Sequence, residues 1–528
     1  MMAQETRAQF GRSQPGAVAE RPHACVIGAG LGGLAAAMRL AAKGYRVTVA
    51  DRLDGPGGRG TAIRAGGHRF DLGPTIVTVP QVFRDLWAAC GMDFDSDVAL
   101  VPLDPFYEIR WPDGSRFTVR GSPEAMREEV RRLAPGDVAG WERFCRDAEI
   151  RYRFGFENLG RRPMNRLGDL IRVLPTFARL RADRSIHAHA AARVRDERLR
   201  MALSFHPLFI GGDPFHVTSM YALVNHLESA FGVHYAMGGV AALAQAMQAA
   251  GERLGVSYLF GAEVAEILLE GGRAAGVRLA GGRRIAADIV VSNADAGHTY
   301  DRLLPGLRRK RWNTRRLARA RWSMGLFIWY FGTADSRGLW PDVGHHTILN
   351  GPRYRGLTRD IFIKGRLAAD MSLYVHRPSV TDPSCAPAGC DTFYALSPVP
   401  HLGHAEPVDW AAEAEPYRRR VEEVLERSLL PGLGARVTES LVFTPETFRD
   451  RYLSPHGCGF SIEPRILQSA WFRPHNVSED LPGLFLVGAG THPGAGLPGV
   501  VTSAEVLAKL VPDTGLPPLR AALDLAAE

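Results

Sequence analysis

The sequence predicts an α/β protein in which an α+β domain is inserted into a discontinuous main domain. One observation is a buried strand with a glycine-rich turn near the front, where residues 24–33 read ACVIGAGLGG. A similar design returns near the end, where residues 484–499 read LFLVGAGTHPGAGLPG. Strand and helix patterns also resume near residue 236, between two long insertions. Such alternation favours a largely parallel sheet.

The front of the chain begins a βαβ unit. Apolar runs predict strands at 23–27 and 46–51, and small and apolar residues predict a helix at 31–44 between them. Further α/β elements are a helix at 240–253, strands at 256–260, 264–269 and 484–487, a hairpin within 277–292 and a helix at about 498–510.

The front turn has the spacing of a dinucleotide-binding motif. Gly28 permits the tight turn, Gly30 lets the backbone approach a pyrophosphate, and Gly33 lets helix and strand pack closely. Asp51 ends the second strand, where a carboxylate can bind ribose hydroxyls. We therefore expect a Rossmann-like nucleotide site, because strand, helix and acid all stand at the required distances.

Two further stretches, 54–60 (DGPGGRG) and 68–75 (HRFDLGPT), follow this unit. A flavoprotein can use the Gly-Gly turn and Arg59 against a diphosphate, whereas an NAD-dependent dehydrogenase has little use for either. A simple turn is the alternative for the first stretch, and the residues alone leave the choice open.

The insertions at roughly 96–235 and 300–440 differ from the α/β segments. The first is helical in places, with apolar residues at three- and four-residue steps over 167–177, and Pro175 is expected to bend or end that helix. The second has aromatic, strand-like runs such as LFIWYFG and DTFYALSPV. The predicted organisation is a disordered tail at 1–21, a nucleotide-binding domain at 22–95, 236–299 and 441–515, an inserted domain at 96–235 and 300–440, and a tail at 516–528.

Composition sets the broad class of the protein. The chain has 528 residues, 46% of them apolar, and it has no apolar run long enough to span a bilayer. The front tail lacks the apolar core of a secretory signal. The six cysteines of the whole chain lack the spacings of a disulfide framework or a zinc site and are expected to be free thiols in a reducing cytoplasm.

Positive charge is clustered. Residues 307–322 hold eight Lys or Arg and no acid, and residues 161–200 hold eleven Arg against four acids. A solvated helix face, a membrane surface and nucleic acid all suit such segments. No metal site is expected, because the histidines match no zinc spacing and are predicted to be polar or core residues: His206, His216, His226, His234, His345 and His346.

The chain resembles bacterial-type phytoene desaturases, FAD enzymes of carotenoid biosynthesis within the amine-oxidase-like flavoprotein group. The resemblance runs from about residue 23 to 511. The stretches that carry it are FDLGPTIVT, SFHPLFIGGDPF, SNADAGHTY, MSLYVHRPSVTDP, FTPETFRDRY, QSAWFRPHN and VGAGTHPGAGLPGV, in that order.

The resemblance implies roles for particular residues. It places the ADP half of FAD against Gly28, Gly30, Gly33, Asp51, Arg59 and Val264, and the isoalloxazine ring near Gly73, Pro74 and Thr75. The rear turn, with Gly488, Gly490, Gly496 and Val500, would bring a helix N-terminus to the ring, where its positive end stabilises the reduced flavin. Asp169 and Arg172 are hinted to be catalytic polar groups near the flavin, although an i, i+3 surface ion pair is the commoner meaning.

The implied substrates are phytoene and its partly desaturated products, giving neurosporene or lycopene. Because phytoene is a hydrocarbon, an apolar tunnel is expected to bind it. The resemblance makes the inserted domain at 96–235 and 300–440 the substrate-binding and membrane-associating part, with a helical region that faces the membrane. The substrate resides in the bilayer, so the basic segments favour docking on the inner membrane from the cytoplasm rather than binding nucleic acid. Quinone or oxygen is the expected electron acceptor, and the sequence leaves the choice between them open. A later-step carotenoid desaturase, an isomerase, an amine oxidase and a non-enzymatic isoprenoid carrier are the alternatives.

Overall fold

A computed structural model describes residues 21–519. The predicted tails at 1–21 and 516–528 lie outside the described residues, except for Arg21 and residues 516–519. The described residues form 20 strands and 16 α-helices.

The strands belong to five sheets. They are β1 (His23–Ile27), β2 (Arg46–Ala50), β3 (Thr61–Ala65), β4 (His68–Leu72), β5 (Val77–Thr78), β6 (Leu100–Pro102), β7 (Tyr107–Arg110), β8 (Arg116–Val119), β9 (Val233–Ala236), β10 (Ser257–Leu259), β11 (Val264–Glu270), β12 (Arg273–Leu279), β13 (Arg284–Ala286), β14 (Ile289–Ser292), β15 (Gly325–Thr333), β16 (His346–Leu349), β17 (Leu373–His376), β18 (Asp391–Val399), β19 (Val437–Phe443) and β20 (Leu484–Leu486).

The helices occur throughout the described chain. They are α1 (Leu31–Ala42), α2 (Gln81–Ala88), α3 (Phe94–Asp97), α4 (Pro123–Leu133), α5 (Val138–Tyr152), α6 (Leu167–Arg179), α7 (Ile186–Ala191), α8 (Glu197–Ser204), α9 (Leu223–Phe231), α10 (Gly239–Arg253), α11 (Ala296–Arg302), α12 (Thr314–Arg319), α13 (Tyr354–Arg359), α14 (Trp410–Ser428), α15 (Pro445–Tyr452) and α16 (Leu497–Leu510). A π-helix, Arg153–Gly160, continues α5.

A five-stranded parallel sheet gathers strands from the front, middle and end of the chain, in the order β10-β2-β1-β14-β20. Every residue of β1 is buried, because helices cover this sheet as they cover most parallel sheets. Helix α1 is rich in alanine and glycine, so α10 and α16 pack closely against it. The α/β class predicted from the sequence is confirmed, and the sheets as a whole are mixed.

A seven-stranded mixed sheet has two different faces, in the order β19-β15-β18-β17-β16-β7-β8. Alternate residues of a strand point to opposite sides. On β15, Phe327, Trp329 and Phe331 pack in a core beneath α14. Leu326 and Ile328 point the other way, toward a large cavity. One sheet therefore supplies both a core and a cavity wall.

Most of the predicted elements are confirmed within a residue or two. One difference is α6, which runs through Pro175 to Arg179 instead of ending there. Its residues after the proline still make an apolar contact, since Phe177 packs edge-on against Phe154. Within residues 21–519, the longest apolar helices fall short of what a bilayer crossing requires.

Candidate functional site

A cavity of about 520 Å³ lies where the carboxyl ends of β1 and β2 face the seven-stranded sheet. Its lining includes all but one of the predicted cofactor-binding residues: Gly28, Gly30, Asp51, Arg59, Gly73, Pro74, Thr75, Val264, Gly488, Gly490, Gly496 and Val500. The exception is Gly33, which lies behind the wall, against the Gly28 carbonyl. The structure thus brings residues from both ends of the chain to one place.

The front turn and the rear turn meet across Asn293. A Cβ atom on Gly30 would lie 2.8 Å from the Asn293 amide nitrogen, and one on Gly32 would lie 2.6 Å from its oxygen. The Cβ position of Gly32 is also only 3.1 Å from the Cα of Gly488. Glycine is therefore required where the two turns and this side chain converge.

Asn293 is a site residue that the sequence reasoning did not single out. It directly follows β14, which pairs in parallel with β1, so its position at the carboxyl edge of the sheet was the available signal. Arg473 was missed as well. Its fully buried guanidinium donates to the Ala489 carbonyl oxygen at 2.7 Å and so holds the rear turn.

Asp51 reaches back to the front turn. Its carboxylate accepts hydrogen bonds from the backbone N–H of Ala29 at 2.6 Å and of Leu53 at 2.7 Å. Burial raises the pKa of Asp51, and these two bonds act in the opposite direction. The carboxylate shapes the glycine turn while lining the cavity, where a ribose is expected.

The loop at 73–75 is fixed to the seven-stranded sheet. The Thr75 hydroxyl lies 3.0 Å from the Tyr374 hydroxyl and 2.9 Å from that of Tyr394. Burial raises the pKa of both tyrosines, so they stay neutral. Both tyrosines were missed by the sequence reasoning, because their meeting with Thr75 depends on the distant strands β17 and β18.

Three histidines lie behind these tyrosines. Tyr374 bonds His346 Nδ1 at 2.7 Å, and the Nε2 atoms of His345 and His376 are 3.0 Å apart. Burial lowers the pKa of His345 to about 3 and also lowers those of His346 and His376. The rings are therefore neutral. His345 and His346 are adjacent in the sequence, and their rings converge because His345 precedes β16. The expectation that none of the histidines binds a metal stays a prediction.

Asp169 and Arg172 are not brought into this cavity. Asp169 accepts a hydrogen bond from the Arg166 backbone N–H in the first turn of α6. Arg172 lies 3.8 Å from it, with a side chain that is 78% exposed. Neither residue lines the cavity wall. Their proposed catalytic role stays a prediction.

The basic segment at 307–322 is partly used inside the protein. Arg309, Arg311 and Arg316 donate to the carbonyl oxygens of residues Tyr300, Trp471 and Phe472. The guanidinium of Arg311 also lies 4.2 Å from the centre of the Trp471 ring. These arginines therefore contact other parts of the protein, and the stacking of a guanidinium on an aromatic ring is a common stabilising contact.

Away from the glycine turns the cavity wall is apolar and aromatic. It is formed by one face of the seven-stranded sheet and by helical segments, including Leu208, Phe209, Tyr221, Leu223, Leu227, Ile328, Leu396 and Phe443. The site thus combines a polar end of backbone amides with a largely apolar end. The polar end suits a dinucleotide, and the apolar end offers a hydrocarbon mainly dispersion and hydrophobic contact, with Glu228 and His206 among the few polar side chains of its wall.

Two relatives are similar over nearly the whole chain. A phytoene desaturase (neurosporene-forming) of Cereibacter sphaeroides is 70% identical over 93% of this chain and 94% of its own length. Another, from Rhodobacter capsulatus, is 63% identical over 94% of this chain and 95% of its own. Such extensive identity leaves little of the chain without a counterpart.

A solved structure shows the same fold at much lower identity. An oxidoreductase from Methanosarcina mazei superimposes with a TM-score of 0.60 at 19% identity, over 92% of this chain and all of that one. The family model described as flavin containing amine oxidoreductase matches residues 31–511, which is most of the chain. The chain therefore belongs to the flavin-containing amine oxidoreductase family.

Proposed function

We propose that this protein is an FAD-dependent desaturase that converts phytoene to neurosporene by successive removal of a hydride and a proton. The observation that carries the proposal is that one cavity joins glycine-rich turns from both ends of the chain to a largely apolar wall. The similarity to two neurosporene-forming phytoene desaturases supports the choice of substrate and product.

FAD is the cofactor that the family and these relatives imply, and the residues present fit it. Gly28 has φ of +92° and Gly30 has no room for a Cβ atom, which leaves backbone amides as the surface of the front turn. The N-terminus of α16 opens on the same cavity at Gly496 and Val500. We assign the ADP half to the front turn and Val264, and the ring to Thr75 and the α16 end.

Residues at different positions in the cavity make different contributions to the reaction. When bound, FAD supplies the oxidant, which takes up a hydride from the substrate. The positive end of α16 favours the negative charge of a reduced ring by roughly 0.3–1 kcal/mol. The hydroxyls of Tyr374 and Tyr394 hold Thr75, and hence its loop, in one position.

The apolar wall accounts for substrate binding. A C40 hydrocarbon gains roughly 25 cal/mol for each Å² of apolar surface that it buries. Side chains of Ile328, Leu396 and Phe443 project from neighbouring strands of one sheet, so they form a continuous surface. Burial against them also excludes water from the reacting carbons.

The decisive experiment is expression of the chain in a host that makes phytoene and no coloured carotenoid. We expect a yellow pigment with the absorption spectrum of neurosporene, and a spectrum of lycopene would indicate a fourth desaturation. Unchanged phytoene in a host that accumulates the folded flavoprotein would overturn the proposal. Purified protein without flavin absorbance would instead favour the isoprenoid carrier.

We also propose that α6 docks on the inner membrane from the cytoplasmic side. Leu167, Ile171 and Leu174 are 59%, 59% and 49% exposed and recur at helical spacing on one face. Arginines surround them, which suits anionic lipid, and Phe177 of the same helix lines the cavity. The helix would therefore lie between the cavity and the bilayer, and the bilayer holds both phytoene and quinone.

Quinone is one of the two proposed electron acceptors, the other being oxygen.

Replacing this apolar stripe should weaken membrane binding. We expect the triple variant Leu167→Ser, Ile171→Ser, Leu174→Ser to bind anionic vesicles at least about 30-fold less tightly, since about 2 kcal/mol of apolar burial is lost. Flotation with vesicles of phosphatidylglycerol measures the change. Leu269→Ser with Leu339→Ser, at two exposed positions outside α6, is the control. Equal loss of binding in the control would contradict docking through α6.

A further inference from the structure

We propose that Glu228 is the base that takes the proton from the substrate, an inference that rests on the proposed function. Four carboxylates line the large cavity within residues 21–519: Asp51, Glu228, Glu263 and Asp295. Asp51 bonds the front turn, Glu263 pairs with Arg52, and Asp295 caps α11. Those three lie at the nucleotide end, which leaves Glu228 as the carboxylate on the apolar side.

Glu228 is held by two neighbours on one of its oxygens. The Tyr107 hydroxyl donates to Oε2 at 2.7 Å, and His206 Nε2 lies 3.0 Å from the same atom. All three side chains are almost fully buried. The other oxygen, Oε1, accepts no hydrogen bond from the described residues. One oxygen is thus fixed in place while the second keeps its lone pairs for a proton.

The Glu228 cluster shares a stretch of wall with Thr75. The ring of Phe205 packs against His206 at 4.3 Å and edge-on against Phe209 at 5.3 Å, measured between ring centres. Phe209 packs edge-on against Tyr374, whose hydroxyl bonds Thr75. Aromatic contacts therefore connect the carboxylate with the loop that we assign to the flavin ring.

A second cavity gives the proton a way out. It has a volume of about 220 Å³ and is lined by Tyr107 and Glu228, and Glu228 also lines the large cavity. Its other lining residues include polar side chains, among them Arg120, Arg146 and Glu149. Glu228 therefore stands in the partition between the substrate cavity and a second cavity whose wall carries charged side chains, where a proton gained on one side can be passed on.

Proton transfer to Glu228 and hydride transfer to the oxidant together form one carbon–carbon double bond. A C–H bond of the substrate breaks, its proton forms an O–H bond on Glu228, and its electron pair becomes the second bond between the two carbons. The neighbouring carbon loses a hydride to the two-electron oxidant, which is oxidised FAD. Glu228 then returns to the carboxylate by releasing the proton to solvent. Tyr107 and His206 act as positioning residues.

The test uses FAD-loaded enzyme with phytoene in vesicles, under anaerobic conditions, and follows flavin reduction in a single turnover. We expect Glu228→Gln to keep bound FAD and its melting temperature but to react at least about 100-fold more slowly, as loss of a positioned base usually costs. Tyr107→Phe, which removes only one hydroxyl, should slow the reaction about 10-fold. Glu463→Gln is the matched control, because Glu463 is equally buried and lies outside the cavity wall.

Isotopic substitution separates a base from a structural residue. Deuterium on the carbon that loses the proton should slow Glu228→Gln and Tyr107→Phe more than the wild type, and deuterium on the carbon that loses the hydride should not. A Glu228→Gln rate within about threefold of wild type, or isotope effects unchanged in both variants, would overturn the inference while leaving the desaturase intact. Wild-type enzyme that leaves phytoene unchanged would overturn the proposed function and this role with it.

Discussion

Gly33→Ala is expected to yield protein that retains little or no FAD. A Cβ atom at this position would lie 2.0 Å from the carbonyl oxygen of Gly28, far closer than atoms can approach. The clash is with backbone, so α1 must move away from the turn that its N-terminus completes. We expect FAD to bind at least about 100-fold more weakly, a loss of about 2.7 kcal/mol. Flavin absorbance per chain after gel filtration measures it.

Gly55→Ala is the matched control for this change. Gly55 belongs to the nearby segment 54–60, and a Cβ atom there would meet nothing within 4 Å. The variant should therefore keep the flavin content of the wild type. Wild-type FAD content in Gly33→Ala would contradict the assignment of the front turn to the cofactor.

Leu396→Asp is expected to abolish turnover of phytoene without releasing FAD. Leu396 lies on β18, opposite Ile328 and Tyr374 of the neighbouring strands, and lines the apolar part of the cavity. A hydrocarbon offers a carboxylate no hydrogen bond, so substrate binding would strip water from the charge at a cost of several kcal/mol. We expect kcat/KM to fall at least about 100-fold, measured from neurosporene formed by enzyme in phytoene-loaded vesicles.

Leu396→Met tests the same position at conserved volume and polarity. Swaps between leucine and methionine usually cost little, so activity should stay near that of the wild type. Phytoene turnover by Leu396→Asp at the wild-type rate would show that the hydrocarbon takes another route. Loss of FAD from the Asp variant would instead indicate general damage to the fold, which its melting temperature reports.

The front turn could be predicted because the residues that form it lie close together in the sequence. Gly28, Gly30 and Gly33 serve a strand, a turn and a helix that follow one another within the sequence, so spacing alone carries the information. Arg59 and the loop at 73–75 came from the family resemblance, and the structure places them on the same cavity. The structure thus brings these predicted residues to one cavity, and their contact with the cofactor stays a prediction.

The substrate side could not be predicted in the same way. Tyr107 lies on β7, which pairs with β16 in the seven-stranded sheet, and Glu228 lies on α9, so their hydrogen bond joins elements that are distant in the sequence. No short-range pattern encodes such a pairing. Helix α6 shows a related limit. Pro175 locally disfavours a helix, but tertiary contacts of α6 override this preference, and the helix continues to Arg179.

The meeting of the two glycine turns across Asn293 has a consequence for biosynthesis. Residues 488–500 complete the wall of the cofactor cavity, although synthesis of the chain starts at the opposite end. A ribosome-bound nascent chain lacks this wall until nearly all of its residues have been joined. We therefore expect flavin capture to come late, so that a stalled or prematurely terminated product stays colourless even where its earlier segments have folded.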